Sequence, residues 1–145
     1  WTLDKGKMFA EWFADVTASI ETNKAIPGLT REGEIMGKAV GAYKEIQGTM
    51  MAAFQKNINQ VPLFATRVLR ATSLLWAGSL MLEQAAVAVK KAEELGEGQA
   101  DYTFYKGKVQ TVQFYIRNVV PELFNLTEII KDGDTSAIDM LEASF

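Results

Sequence analysis

Apolar residues fall at helical spacing almost from end to end of this chain. Phe9, Phe13, Val16 and Ile20 follow at +4, +3 and +4, which places them on one face of a helix over 5–23. Met8 and Trp12 widen that stripe, and Asp4 is the expected N-cap. Ala25-Ile26-Pro27-Gly28 closes the segment, because Pro27 biases Ile26 away from the helical region and Gly28 supplies a turn. A second helix is expected from Thr30, with that hydroxyl as its cap. Glu32 and Glu34 then sit in the first turn, where the helix dipole favours negative charge. Its buried stripe reads Met36, Val40, Tyr43, Ile46, Met50 and Phe54, and it fades at Asn57-Ile58-Asn59.

The third segment, 62–95, is apolar around most of its circumference. Leu63, Phe64, Val68, Leu69, Leu74, Leu75, Trp76, Leu80, Met81 and Leu82 predict a helix packed on more than one side. Ala71, Ala77, Gly78, Ser79, Ala85, Ala86 and Ala88 are small and let neighbouring helices come close. Pro62 suits a first turn, Lys90 and Lys91 suit the negative C-terminal end, and Gly96 is the natural stop. After a loop over 96–100, Asp101 is expected to cap a fourth helix. Its stripe is Tyr105, Val109, Val112, Ile116, Val119 and Leu123. Pro121 removes a backbone bond to Arg117 and predicts a kink or restart. The helix resumes over 122–131 and Gly133 stops it; Asp134 or Thr135 caps a last turn through Ala137, Ile138 and Leu141. Short connections make neighbours antiparallel. The expected fold is all-α: an up-down four-helix bundle with a short C-terminal helical appendage, in one domain over 1–145.

Composition narrows the chemistry more than the fold. The 145 residues include no histidine and no cysteine. That excludes Ser-His triads, His-ligated metals, Glu-x-x-His pairs, thiolate metal sites and disulfides. A carboxylate-only metal site lacks any Ca²⁺-loop spacing here. The net charge of −3 is small and both signs are dispersed, so no basic patch offers a nucleic-acid footprint. The longest uncharged stretch of the third helix, 71–82, falls short of the ~20 residues a spanning helix needs. No transmembrane segment is therefore expected. No basic region precedes an apolar run, so no signal peptide is expected either. The chain opens on Trp1-Thr2-Leu3-Asp4 and is expected to be an excised piece or processed fragment.

One stretch carries a recognisable order of residues. Asp101 leads to the aromatic pair Phe104-Tyr105, then Lys106-Gly107-Lys108, then a helix of small and aromatic residues ending at Phe114-Tyr115. Val120-Pro121-Glu122 closes that helix, and Asp139-Met140-Leu141-Glu142-Ala143-Ser144-Phe145 ends the chain. On these residues the chain resembles the C-terminal helical extension of a bacterial branch of the acyl-CoA dehydrogenase family. The likeness covers 61–145 through its motifs and 1–60 through pattern alone. It implies a parent enzyme that introduces an α,β double bond into an acyl-CoA thioester and passes hydride to FAD. The family's glutamate base and its FAD- and CoA-binding segments lie upstream, and no position here matches them. No catalytic, cofactor-binding or metal residue is therefore assigned to this segment. The implied cofactor is FAD in the parent enzyme, with none in this segment. The implied partners are the catalytic domains of the parent chain and further copies in a homo-oligomer. Acyl-CoA is met only through the parent, in the cytoplasm.

Several residues carry a sharper reading beside a plain one. Lys106-Gly107-Lys108 lacks the strand-to-helix glycine run of a phosphate loop; Gly107 is read as allowing close helix approach, with both lysines solvated. Arg67 and Arg70 either pair with an acyl-CoA phosphate or an acidic surface of the parent enzyme, or lay their stems over the core and keep the charge in water. Glu83 and Gln84 interrupt the apolar run; the sharper reading is a general base in a pocket, the plainer one an exposed or Lys-paired carboxylate. Trp12, Phe13, Tyr43, Phe54, Phe64, Trp76, Phe104, Tyr105, Phe114 and Tyr115 could line a ligand pocket but are read as core, and the six methionines as gap-fillers before a binding surface. The alternative functions are a free-standing helical protein-interaction module and peripheral membrane attachment through the first helix or the C-terminal segment.

Overall fold

The computed structural model describes residues 3–141 and Ala143. Trp1 and Thr2 at the opening, and Glu142, Ser144 and Phe145 of the family-like terminus, lie outside the described residues. A 3₁₀ turn, Leu3–Gly6, leads into α1 (Lys7–Asn23), α2 (Thr30–Lys56), α3 (Gln60–Leu95), α4 (Tyr102–Asn118), α5 (Glu122–Asp132) and the short α6 (Ser136–Asp139). No strand occurs among the described residues.

Side-chain pairs give the direction of each helix. Trp12 meets Trp76 and Ser19 donates to Glu83, at the same offset along both helices, so α1 runs parallel to α3. Tyr43 bonds Thr72 at 2.6 Å, while Met36 lies against Gly78 further along α3, so α2 is antiparallel to α3. The Thr72 hydroxyl already donates to the Val68 carbonyl, so Tyr43 is the donor of that pair. Arg117 reaches Glu32 and Lys131 reaches Glu45, stepping together, so α4 and α5 run parallel to α2. The result is the expected up-down-up-down bundle, with α3 as its central helix. By length and composition α3 passes the test for a membrane span, with mean hydropathy 1.2 over its most apolar window. Here it packs against α1, α2, α4 and α5 instead.

Small residues set the helix spacing. A Cβ on Gly78 would lie 2.7 Å from Met36 Sδ and 3.2 Å from Val120 Cγ2. One on Gly33 would lie 2.6 Å from Lys24 Cα, where the end of α1 crosses the start of α2. Around these points Met36, Ile46, Leu74, Leu75, Leu82, Ile116, Leu123 and Ile130 are fully enclosed. The helix restarts where Pro121 predicts. The N–H groups of Val119 and Val120 both reach the Tyr115 carbonyl, α4 ends, and α5 begins at Glu122.

Of three expected caps, two are displaced and the third keeps its place without a side-chain bond. Asp4 and Lys5 have φ of +50° and +60°, so α1 cannot start there and begins at Lys7 with Gly6 at the cap position. Asp4 still accepts the Met8 N–H at 3.1 Å. Thr30 is the first residue of α2, not its cap; that position belongs to Leu29, an enclosed apolar plug. Asp101 holds the cap position of α4 in helical conformation without a side-chain bond. Met8, Phe54, Leu69, Trp76 and Leu80, expected inside, are exposed.

Candidate functional site

The start of α2 carries an enclosed charge. Glu32 is fully buried, and its Oε1 accepts from Arg117 Nε at 2.5 Å. Its Oε2 is buried with no hydrogen-bond donor among the described residues. The first-turn position adds favourable dipole electrostatics. Arg117 is one-third exposed, so the pair joins the α2 N-terminus to the end of α4 at the edge of the core. It ties two helices that are far apart in sequence, and no group of His, Cys, Asp or Glu that could hold a metal ion occurs among the described residues. Sequence reading placed Glu32 in a favourable first turn and missed its partner, which lies 85 residues on.

The other singled-out polar residues separate. Arg70 grips Glu122 through two bonds of 3.1 and 2.7 Å, tying α3 to the first turn of α5. That hydrogen bonding holds the Glu122 carboxyl below its ordinary range, with burial opposing and the Arg70 charge assisting. Burial pushes the neighbouring Tyr115 hydroxyl up. Arg67 lies over the Phe64 ring, 5.8 Å from its centroid. Glu83 is exposed and accepts from Ser19. Gly107 has nothing within 4 Å of a built Cβ, so it does not permit a close helix approach. Lys108 leans over Phe104 at 5.5 Å.

What these helices bring together is apolar surface. Leu69, Trp76, Leu80 and Val87 form one stripe along α3, with exposures of 67%, 50%, 45% and 61%. The stripe borders α1 on one side, through Trp12, and α4 on the other. A hollow of about 440 Å³ opens at its start, lined by Met51, Phe54, Val61, Ala65 and Leu69 among others. Another of about 450 Å³ opens near its end, between Leu80, Val87, Phe104, Tyr105 and Lys108. Phe54 and Phe104, expected in the core, stand at the rims of these hollows. The surviving aromatic cluster is Phe9, Trp12, Phe13, Tyr43 and Trp76, a stacked and edge-on group between α1, α2 and α3. Exposed apolar patches of this kind mark protein or membrane contact surfaces or ligand-binding grooves.

Comparison with known proteins gives the family. Residues 12–141 match the family described as acetyl-CoA dehydrogenase C-terminal like. The chain is 44% identical over 144 residues to a butyryl-CoA dehydrogenase of Syntrophomonas wolfei, and 41% over 141 residues to a second from that organism. It is 30% identical over 148 residues to a broad-specificity linear acyl-CoA dehydrogenase of Mycobacterium tuberculosis. These alignments cover 97–99% of this chain but only 23–24% of the relatives' length. The chain belongs to the acetyl-CoA dehydrogenase C-terminal-like family.

Proposed function

We propose that this chain is a non-catalytic helical domain, 1–145, of an FAD-dependent acyl-CoA dehydrogenase, and that it works in interdomain packing or subunit assembly. The observation that carries this reading is the open apolar surface of α2, α3 and α4 on a chain that spans about a quarter of its relatives' length. A domain that folds around its own core and still presents Phe54, Leu69, Val87 and Phe104 to water has surface left to cover. The dehydrogenation of the acyl-CoA thioester, the FAD and the catalytic residues belong to the rest of the enzyme, in the cytoplasm.

The test uses the Syntrophomonas butyryl-CoA dehydrogenase with its matching region removed. The 145-residue chain, supplied separately, is expected to raise the thermal midpoint of the truncated enzyme. Phe54→Asp is expected to weaken that rescue. Alone, the chain is expected neither to take up FAD nor to oxidise butyryl-CoA. Flavin binding by the isolated chain, or a truncated enzyme indifferent to it, would overturn the reading.

A further inference from the structure

Glu32 encloses a donor and an acceptor that the helices do not satisfy. The residue is fully buried, and its Oε2 has no donor among the described residues. A carboxylate at this third helical position ordinarily reaches back to the N–H of the cap residue. Here that N–H, on Leu29, is taken by the Ile26 carbonyl at 3.0 Å. The backbone N–H of Glu32 is the second open group. The ladder of α2 begins with the Gly33 N–H on the Leu29 carbonyl at 2.9 Å, one residue after Glu32. The Glu32 N–H therefore precedes the ladder. Leu29 holds the cap position and brings no side-chain acceptor. The carbonyl four residues back is that of Gly28, which stands outside the helix at a φ of +83° and accepts from Gln113 Nε2 at 3.2 Å. Thr30 and Arg31 precede the ladder as well, but both are exposed and reach solvent. Enclosed groups of this kind rarely go without a partner in folded proteins.

Charge decides what completes them. Arg117 already neutralises the carboxylate through Oε1, and the start of α2 carries partial positive charge. A cation would leave an enclosed excess of positive charge, and an anion would oppose the carboxylate. The fitting ligand is neutral, small, and able to accept from an N–H while donating to an oxygen. Water meets all of these conditions. The corner also gives it a way in. A hollow of about 490 Å³ is lined by Pro27, Gly28 and Gln113, immediately ahead of α2 and against α4.

We infer that the start of α2 is a binding site for one internal water, which accepts from the Glu32 N–H and donates to Glu32 Oε2. This water caps α2 where Leu29 does not. It also completes the tie to α4 that Arg117 makes on the other carboxylate oxygen. The site is independent of the parent enzyme and of how this domain packs against it.

The test uses the 145-residue chain, which encloses its own core. In its crystal structure one water is expected at about 2.7–3.2 Å from both the Glu32 nitrogen and Oε2. In solution, the ¹⁵N-resolved Glu32 amide is expected to show a dipolar cross-peak to water, with the sign of a contact that outlasts molecular tumbling. The exposed Thr30 and Arg31 amides are expected to show only the sign of short-lived hydration. Glu32→Met combined with Arg117→Met removes the acceptor and leaves the corner uncharged. The long-lived cross-peak is expected to be lost in that variant, because one N–H supplies fewer polar partners than an internal water needs. An Arg117 nitrogen or a cation on Oε2 in place of water, or a long-lived cross-peak that survives in the double variant, would overturn the inference.

Discussion

At Glu32 a single partner decides between a tolerable and a costly buried charge. Arg117 supplies one short bond to Oε1, the helix dipole contributes, and Oε2 stays without a donor among the described residues. Replacing Arg117 by Met strands the carboxylate and is expected to destabilise the fold by about 3–5 kcal/mol. Glu32→Met together with Arg117→Met is expected to be near neutral or stabilising, since it removes both desolvation costs. Urea midpoints of the single and double variants check this; equal loss in both would contradict it. Glycines give a second residue-level contrast. Gly33→Ala would drive a methyl into the Lys24 backbone and is expected to cost several kcal/mol or repack the α1–α2 corner. Gly37, Gly41, Gly48 and Gly107 lie inside helices with nothing within 4 Å of a built Cβ. Each change to Ala there is expected to stabilise by about 0.5–1 kcal/mol, read as a higher thermal midpoint.

At the scale of elements, Pro121 and the Arg70–Glu122 pair act on the same joint. Proline ends the backbone ladder between α4 and α5, and the ion pair then fixes the first turn of α5 to α3. The pair is largely exposed, so its contribution is screened and modest. Its sign with pH is definite. Glu122 is held below the ordinary carboxylate range, so the unfolded chain binds its proton first as pH falls. That stability is present above the unfolded value near ~4.3 and is lost as pH drops through the lower folded value. Asp134, lowered chiefly by the Ser136 backbone N–H, and Glu94, lowered by Lys91, act in the same direction. The urea midpoint is therefore expected to fall between roughly pH 5 and pH 3, less steeply in Glu122→Gln than in the parent. An unchanged slope in that variant would remove Glu122 from this account.

At the scale of the whole molecule, the bundle leaves the α3 stripe open between α1 and α4. Periodicity foresaw this arrangement unevenly. Val16, Ile20, Met36, Tyr43, Ile46, Val112, Ile116 and Leu123 were legible as core because each sits at the centre of a narrow stripe. Leu69, Trp76 and Leu80 were not legible as surface, because a helix apolar on nearly all sides does not declare which side lacks a neighbour. That choice depends on which helices flank it, and α1 and α4 border the stripe without covering it. The same limit hid the Glu32–Arg117 tie, whose members are far apart in sequence.

The amino-acid sequence by itself determined the helices, their breaks at Pro27, Gly96, Pro121 and Gly133, the antiparallel order and the exclusion of histidine and cysteine chemistry. These follow from local backbone preference and composition, which need no knowledge of distant residues. Tertiary structure alone decided which apolar faces meet, which charge is enclosed, and which glycines are touched. Those depend on contacts between residues far apart along the chain, and spacing within one helix holds no record of them.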